Sequence, residues 1–514
     1  MDLKKTIKQI EAILFRIIIF ALLLGTFSSQ WFTTYYGSNV GFDAIIFYLN
    51  MPLRGTSHEF ITSYIVRALC PAILVFLLFF FPTKHDYYLA IKTRSKRIRI
   101  RLFPFRLPVR LSAAITGLLC FAWFVILLGA MGGISFIRNQ IEQSNLIENE
   151  YISPEDVEIK FPEQKRNLIW IVIESAESSS QDKANGGVFD VNFTPELTRI
   201  AKENVSFSQS DLIEGAAVAP ATGWTIAGLV AQTAGLPLKL FSHDDRTVDN
   251  ALDEYAFFLP GAISLGDILG AQGYHNYFMA GSDFEFGGRT NYFTQHGNYE
   301  IFDYYTAIEE GKIPADYYVW WGFEDAKLYS YAKEKLLELA SEEEPFNFSL
   351  LTVDTHHQDG YLCALCPNTY EDQYANVWVC ASSQVDEFVS WIQRQDFYEN
   401  TTIVISGDHC SMDTDFYEDL TYDKYTGMTV RRVYNAIINP AVSPIQEKNR
   451  KFTTMDLFPT ALASMGVSIE GNRLGLGTNL FSGEPTLSEK YGYEELFGEL
   501  NRKSVFYNKN LLYP

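Results

Sequence analysis

Residues Asn167–Ser175 read NLIWIVIES, a continuous apolar run that ends in a carboxylate and a hydroxyl. Uninterrupted apolar runs of this length are typical of strands that are buried on both faces, as in parallel sheets. Two similar runs follow, at Phe346–Asp354 (FNFSLLTVD) and Thr401–Ser406 (TTIVIS). Helical patterns separate the runs, so the sequence predicts an α/β domain with a mainly parallel sheet flanked by helices. These patterns cover Thr194–Glu203, Gly266–Gln272, Ala326–Leu339 and Ser383–Arg394.

Each predicted strand ends in side chains that bind metals or move protons. Glu174 closes the first run, His356 follows the second, and Asp408 and His409 follow the third. Open α/β sheets bind ligands at the carboxyl ends of their strands. We therefore expect these residues to converge on one crevice, with Thr222 presented at a helix start nearby. Carboxylate, imidazole and hydroxyl groups together are suitable ligands for a hard or borderline divalent ion such as Mn²⁺.

Pro220–Leu238 reads PATGWTIAGLVAQTAGLPL, a Thr-Gly turn followed by small and apolar residues. This pattern predicts a buried helix with the Thr222 hydroxyl at its N-terminal end. Such a hydroxyl meets unpaired backbone N–H groups and the positive end of the helix dipole, a setting that suits a phosphate or a nascent alkoxide. The alternative is that Thr222 only caps a core helix.

Three N-terminal segments are apolar and near the length of about 17–25 residues that a bilayer requires. They lie at about Ala12–Ser28, Ile61–Phe81 and Leu111–Ile134. Lys and Arg cluster before the first segment and in the loop 83–110, which the positive-inside rule places in the cytoplasm. We therefore expect a membrane domain over 1–134 with about three transmembrane helices, a linker over 135–166, and an extracytoplasmic catalytic domain over 167–514.

The charge distribution limits the possible partners. The first 133 residues hold 15 Lys and Arg against 5 Asp and Glu, while the whole chain carries a net charge of −21, so the remainder carries −31. A strongly acidic soluble part argues against nucleic acid as a partner, because phosphate binding needs a basic surface. An anionic lipid substrate would need local cations or a metal at the site.

Cys363, Cys366 and Cys380 cluster in one segment of the predicted external domain, where a disulfide is permitted. Their spacing suggests a zinc knuckle only weakly, because no suitably spaced fourth ligand follows. We expect one disulfide with a spare thiol.

The order of motifs resembles the alkaline phosphatase/sulfatase superfamily, in its membrane-anchored phosphoglycerol transferase and lipoteichoic acid synthase-like branch. The resemblance covers roughly Asn167 to Leu487 and is strongest to the periplasmic-glucan transferases. It rests on the motifs NLIWIVIESAESS, FTPELT, ATGWTIAGLVAQTAGLPL, AGSDFEFGGR, WWGFEDAKL, DTHHQDGY, ISGDHCSM, TTMDLFPTALASMGV and GLGTNLF.

This resemblance implies roles for individual residues. Glu174, Thr222, Asp408 and His409 would bind one Mn²⁺, with Mg²⁺ or Zn²⁺ as other options, and Thr222 would also be the nucleophile. His356 would donate and accept protons. The residues implied to contact the substrate are Arg289, Trp321 and His357, and Asp325 is a further candidate behind them.

The resemblance also implies an activity and a location. The chain would transfer phosphoglycerol from phosphatidylglycerol to an extracytoplasmic glycan or polymer through a phosphothreonine intermediate, and diacylglycerol would be released. It would be a multi-pass protein of the bacterial cytoplasmic membrane, with its catalytic domain facing the periplasm or the cell exterior. Alternatives are a phosphoethanolamine transferase, a polymerising lipoteichoic acid synthase, a phosphodiesterase, or a non-enzymatic sensor or scaffold. The last predicts loss of at least one of the four metal-site residues, and all four are present.

Overall fold

The computed structural model describes ten ranges of the chain: residues 3–36, 42, 45–46, 58–80, 88–92, 97–101, 109–130, 132–239, 257–417 and 431–512. The chain divides into two compact units. The first comprises Met1–Ser38 and Ser57–Ser135, and the second comprises Asn39–Thr56 and Phe136–Pro514.

The first unit is built from long apolar helices and one hairpin. The helices span Leu3–Tyr36, His58–Phe80 with a π-helical turn at Ile65–Leu69, and Val109–Ala130. Two stretches, Arg16–Tyr35 and Phe60–Leu77, are long and apolar enough to cross a membrane. Within the described part of the chain, a third is present only if the helices on the two sides of residues 131–132 count as one span.

Two features of this unit differ from the sequence-based expectation. The third segment was expected to continue to Ile134, but its helix ends at Ala130, just before Gly132 adopts a φ of 74°. A left-handed residue ends an α-helix because its carbonyl and N–H no longer follow the helical direction. The basic loop contains an antiparallel hairpin in which Tyr88–Lys92 pairs with Arg97–Arg101.

The second unit is organised around a six-stranded sheet. Its strands are β1 (Asn167–Ile173), β2 (His275–Ala280), β3 (Glu300–Phe302), β4 (Phe346–Leu351), β5 (Thr401–Gly407) and β6 (Asn435–Ile438). They lie in the order β3-β2-β4-β1-β5-β6, and every pairing is parallel except the antiparallel pair β5–β6. The mainly parallel α/β fold predicted from the sequence is confirmed.

The central strand β1 is buried on both faces because side chains alternate from one face of a sheet to the other. Ile169, Ile171 and Ile173 belong to a core cluster that includes residues of the helices Pro195–Glu203, Asp325–Leu339 and Gln373–Ile392. On the opposite face, the Trp170 indole donates to the Ser406 hydroxyl at 2.9 Å. Both layers of helices therefore hold this strand, as its uninterrupted apolar run indicates.

The helices that flank the sheet agree with three of the four predicted helical stretches to within one residue at each end. The fourth, predicted to begin at Ser383, begins ten residues earlier, at Gln373. The helix Gly133–Ile141 begins in the first unit and ends in this one. The α-helices wholly within this unit are Leu146–Glu150, Pro195–Glu203, Thr225–Ala234, Leu265–Ala271, Arg289–Gln295, Tyr304–Glu309, Asp325–Leu339, Gln373–Ile392, Thr414–Tyr417, Leu457–Ser464 and Leu487–Asn501.

Candidate metal centre and active site

The ends of two neighbouring strands bring three potential metal ligands together. Ile173 of β1 pairs with Gly407 of β5, so Glu174 and Asp408 are the next residues on adjacent parallel strands. One ligand atom each from Glu174, Asp408 and His409 lies within 4.8 Å of the others. All three side chains are almost completely buried, at 3%, 0% and 1% exposure.

The hydrogen bonds around these three residues leave lone pairs that face one another. Asp408 Oδ1 accepts the N–H groups of Ser175 at 2.7 Å and His409 at 2.8 Å. His409 Nδ1 lies 2.8 Å from the Cys410 carbonyl oxygen, which only an N–H can approach, so in a neutral ring Nε2 carries the lone pair. That Nε2 lies 3.3 Å from Asp408 Oδ2 and 3.5 Å from Glu174 Oε1.

Three acceptors directed at one point repel one another unless a proton or a cation lies between them. Among the residues that the structure describes, Asp408 Oδ2 and His409 Nε2 have no hydrogen-bond partner. Burial, reinforced by the Glu174 carboxylate, raises the pKa of Asp408 to about 7. Burial by itself lowers the pKa of His409, but the Asp408 and Glu174 carboxylates outweigh it and raise that pKa overall. The donor set of two carboxylates and one imidazole fits a divalent cation.

Thr222 lies in a buried turn that precedes the helix Thr225–Ala234. It is 0% exposed, and its hydroxyl donates to the Ala219 carbonyl at 2.8 Å. The residue at the N-cap is Trp224, and no side-chain hydrogen bond caps the helix. The alternative in which Thr222 merely caps the helix is therefore wrong.

The helix itself is the buried element that the small and apolar sequence predicts, since every residue from Ile226 to Ala234 is buried. Its first residue, Thr225, places its hydroxyl 3.4 Å from Glu174 Oε2. Sequence reasoning missed this contact, although Thr225 stands three residues after Thr222 in the same motif.

The helix is fixed to the strand that carries Asp408. A Cβ atom on Gly228 would lie 2.2 Å from the Asp408 carbonyl oxygen, so only glycine permits this approach. Gln232 Nε2 donates to the Gly407 carbonyl at 2.8 Å, and its Oε1 accepts the Ser406 hydroxyl at 2.6 Å. These contacts attach the helix that follows the Thr222 turn to the strand that leads to Asp408. The sequence offered no separate signal for Gln232.

A row of aromatic rings connects the remaining predicted residues. The Phe286 and Trp321 ring centroids lie 5.4 Å apart, and those of Trp321 and His356 lie 4.5 Å apart. The Arg289 guanidinium lies over Phe286 at 5.9 Å. The structure thus places Arg289, Trp321 and His356 along one row, with Phe286 as the aromatic neighbour of the cation.

Arg289 is held in place by its own loop. The side chain is 5% exposed, and it donates to the Phe286 carbonyl at 3.0 Å, the Ser282 hydroxyl at 3.2 Å and the Asp283 carbonyl at 2.6 Å. Burial lowers its pKa, while Asp283 and Glu174 counteract this effect. The negative charge of the Glu174 carboxylate therefore reaches this cation.

The two histidines that follow β4 differ in accessibility. His356 is partly buried, and its Nδ1–H donates to the His357 carbonyl at 2.8 Å. Burial lowers the pKa of His356 to about 4, and the His409 and Arg289 charges act in the same direction. Its ring is therefore neutral at pH 7 and has a lone pair on Nε2. His357 is 3% exposed and stacks on His356 at 4.7 Å, so it lies behind that ring.

Two supporting groups hold the segment that carries these histidines. The buried Asp325 carboxylate accepts the N–H groups of Val353 at 2.7 Å and Asp354 at 3.1 Å. Thr355 donates its hydroxyl to the Glu174 carbonyl at 2.5 Å. The position of His356 is therefore linked to the strand end that carries Glu174.

A separate buried ion pair lies three residues beyond Glu174. Arg431 Nε donates to Glu177 Oε2 at 2.7 Å, and Arg431 Nη2 bonds to Glu177 Oε1. The same Glu177 oxygen accepts the Ser411 N–H at 3.0 Å, and Nη2 also donates to the Ser411 carbonyl at 2.6 Å. This pair connects the loop after His409 to the segment after Glu174. It was not predicted from the sequence.

Comparison with known proteins identifies a family and several relatives. The profile of the Sulfatase family matches residues 166–467. Phosphoglycerol transferase I of Escherichia coli O6:K15:H31 is 31% identical over 360 residues, which cover 68% of this chain and 43% of that protein. The protein of the same name from Xanthomonas campestris pv. campestris (strain B100) is 30% identical over 330 residues, which cover 63% of this chain and 44% of that protein. The chain thus spans less than half the length of these curated relatives.

Two bacterial proteins are among the solved structures that resemble parts of this chain. The lipoteichoic acid synthase LtaP from Listeria monocytogenes has a TM-score of 0.48 at 16% identity, with coverage of 66% of this chain and 80% of that one. The lipooligosaccharide phosphoethanolamine transferase A from Neisseria meningitidis has a TM-score of 0.48 at 14% identity, with coverage of 88% and 84%.

Proposed function

The chain belongs to the sulfatase family, and on that premise we propose that it is a metal-dependent phosphoglycerol transferase. Its donor is phosphatidylglycerol, its acceptor is a hydroxyl of an extracytoplasmic glycan or polymer, and its lipid product is diacylglycerol. The name of the relatives, phosphoglycerol transferase I, supports the choice of the transferred group.

The observation that carries this proposal is the set of opposed lone pairs of Glu174, Asp408 and His409. A buried cluster of this kind is costly without a cation, and its position at the ends of parallel strands is where α/β folds bind their ligands. We assign Glu174, Asp408 and His409, together with the Thr222 hydroxyl, as ligands of one metal ion, which we propose to be Mn²⁺. Bound there, the ion would lower the pKa of a coordinated hydroxyl and stabilise charge on the phosphoryl group.

Thr222 is the proposed nucleophile. Its oxygen attacks phosphorus, the bond from phosphorus to the diacylglycerol oxygen breaks, and phosphoglycerol remains on Thr222. An acceptor hydroxyl then attacks the same phosphorus and releases Thr222. The attachment of the helix that follows Thr222 to β5 and Asp408, through Gly228 and Gln232, supports this role because a positioned nucleophile loses little entropy on reaction.

His356 is the proposed proton carrier. Its pKa of about 4 leaves it neutral at pH 7, so it must accept a proton before it can donate one. We propose that it accepts the proton of Thr222 and passes it to the departing diacylglycerol oxygen. In the second step it accepts the proton of the acceptor hydroxyl and returns it to Thr222.

Substrate contacts are assigned to the row of rings and to its cation. Arg289 is the residue proposed to contact the phosphate, and Trp321 is proposed to pack against the glycerol. His357, at 3% exposure, is proposed to act through His356, which it supports by stacking.

The location follows from the lipid donor. Two N-terminal stretches can cross a membrane by length and composition. We propose a multi-pass protein of the bacterial cytoplasmic membrane, with a membrane domain over 1–134, a linker over 135–166 and a catalytic domain over 167–514. The catalytic domain faces the periplasm or the cell exterior, where outer-leaflet lipid is accessible.

The test is an assay of the purified chain with Mn²⁺ and fluorescent phosphatidylglycerol. We expect release of diacylglycerol, and we expect Thr222→Ala to abolish it. The matched control is Thr233→Ala, which removes another buried hydroxyl from the same segment, one bonded to the Leu229 carbonyl and Tyr292. Equal release by Thr222→Ala would exclude the nucleophile assignment.

The same assay separates the related activities. Release from phosphatidylethanolamine but not from phosphatidylglycerol would identify a phosphoethanolamine transferase. Release of free glycerophosphate, with no transfer to an added glycan, would identify a phosphodiesterase.

A further inference from the structure

Three thiols that take no part in the proposed reaction lie together in the second unit. The Cys363 and Cys366 sulfurs are 3.6 Å apart, and those of Cys363 and Cys380 are 3.8 Å apart. All three sulfurs lie within 4.8 Å of one another. Cys363 and Cys366 follow the His356 segment, whereas Cys380 belongs to the helix Gln373–Ile392.

The separation of these sulfurs distinguishes two kinds of cross-link. A disulfide requires about 2.05 Å between its sulfurs. The six cysteines all lie in the part of the chain that the structure describes, and none forms a disulfide, contrary to the expectation from the sequence. Tetrahedral Zn²⁺ with Zn–S bonds of about 2.3 Å places its sulfurs about 3.8 Å apart. The two measured separations match the edges of such a tetrahedron.

A buried polar side chain is directed at the sulfurs. Gln384 is 8% exposed, and its Nε2 lies 3.3 Å from Cys380 Sγ and 3.9 Å from Cys363 Sγ. Its Oε1 is buried and has no hydrogen-bond partner among the described residues. A half-turn of the amide group about its last side-chain bond presents Oε1 at the position that the nitrogen holds. The amide thus offers either a hydrogen bond to a metal-bound thiolate or a fourth ligand.

The surroundings of the thiols are acidic. Both carboxylate oxygens of Asp354 are buried and, among the described residues, have no hydrogen-bond partner. Burial raises the pKa of Asp354, and the nearby charges of Asp325 and Cys363 act in the same direction. A cation at the thiols would favour the ionised form of this carboxylate.

We propose that Cys363, Cys366 and Cys380 form a second metal site, for a thiophilic divalent cation such as Zn²⁺, with Gln384 beside the fourth position. This site joins the segment after β4, which carries His356, to the long helix Gln373–Ile392. Its role is structural: it keeps that segment folded against the helix, and it does not depend on the proposed phosphoglycerol transfer.

The test uses the full chain purified in detergent without reductant and reloaded with Co²⁺. Thiolate ligation of Co²⁺ produces a near-ultraviolet charge-transfer band that a site of carboxylates and imidazole lacks. We expect this band in the natural chain and in Asp408→Asn, in which the other candidate site is damaged. We expect Cys366→Ser and Cys380→Ser to lose the band. The control is Cys70→Ser, which removes an exposed thiol of the first unit and should retain the band.

Thiol counting provides the complementary readout. Alkylation of the denatured, chelator-treated chain should label all six cysteines, and mass spectrometry reports the number. Four labelled cysteines, with Cys380 linked to Cys363 or Cys366, would overturn the proposal in favour of a disulfide. A Co²⁺-loaded natural chain without the band would overturn it as well. Cys366 is only partly buried, so its serine variant tests the site with the smallest disturbance to packing.

Discussion

Glu174 and Glu177 stand three residues apart on the same segment, and both are buried beside the loop that begins at Asp408. Glu177 meets Arg431 in a two-point ion pair, and the Ser411 backbone also bonds to this pair. Glu174 instead meets another carboxylate and the lone pair of an imidazole. The difference teaches that burial alone does not mark a functional acid. A better indication is burial with acceptors directed at one another and, among the described residues, no cation bonded to them.

The largest effect should follow from Asp408→Asn, which keeps the acceptor for the Ser175 N–H but removes a charge. We expect the chain to lose bound metal and transfer activity to fall on the order of 10³-fold or more. Without metal, the variant should be at least as resistant to unfolding as the natural chain, because two close buried carboxylates repel. Metal analysis, diacylglycerol release and urea unfolding measure the three quantities. A variant that retains full metal content would remove Asp408 from the site.

The corresponding change at the Glu177–Arg431 ion pair is Arg431→Met, which leaves Glu177 buried without its cation. We expect a loss of about 3–5 kcal/mol in the free energy of unfolding, since a lone buried charge is strongly destabilising. The metal bound per folded chain should be unchanged. Arg432→Met is the matched control, and a similar loss in that variant would show that Arg431 has no special role.

An intermediate case is Asp325, which is buried and bonded to two backbone N–H groups. Burial raises its folded pKa to about 7. A carboxyl with a raised folded pKa stabilises the fold below its unfolded pKa and loses that contribution as pH rises through the folded pKa. The contribution of Asp325 therefore falls between about pH 4 and pH 7. In Asp325→Asn, the decrease in unfolding free energy from pH 5 to pH 8 should be smaller by about 2 kcal/mol, measured by urea titration at both pH values. Identical pH dependence in both chains would contradict this assignment.

The smallest effect should come from Thr225→Val, which removes the hydroxyl 3.4 Å from Glu174 Oε2 but keeps the shape of the side chain. Because this bond to the carboxylate is long, we expect it to contribute about 1 kcal/mol, and metal affinity and activity should fall by less than about tenfold. Thr233→Val, on the same helix, is the control. A loss as large as that of Asp408→Asn would make Thr225 part of the site itself.

The sequence predicted the parts of the fold that have strong, uninterrupted patterns. β1, β4 and β5 are largely apolar and completely or almost completely buried, and the structure contains all three. The strands β2, β3 and β6 were not predicted, because β3 and β6 have only 3 and 4 residues and β2, HNYFMA, mixes polar with aromatic residues. Their position depends on pairing with distant strands, which a local pattern does not encode.

The same distinction holds at the site. Glu174, Asp408 and His409 follow predicted strands, so their proximity could be anticipated from the topology of parallel sheets. Arg431 and Gln232 carry no comparable signal, because each acts through a partner more than 170 positions away in the chain. The prediction of a disulfide was wrong for a related reason. Sequence spacing shows that three cysteines can lie close together, but it does not determine the distances between their sulfurs.

Gly228 has a consequence for how the substrate range of this chain could be altered. Its missing Cβ lets the helix Thr225–Ala234, which follows Thr222, lie against the Asp408 carbonyl, so this helix is held to the sheet. The loop from Ser282 to Arg289 contacts the same helix, since a Cβ atom on Gly287 would lie 3.5 Å from the Ile226 side chain, and its Phe286 ring contacts Trp321. Engineering for a new headgroup or acceptor should therefore target Arg289 and Trp321, which lie outside the helix Thr225–Ala234, and leave the attachment of that helix to the sheet unchanged. Substitutions in the helix Thr225–Ala234 would change the reaction rate and the choice of substrate together, and these two effects would be hard to separate.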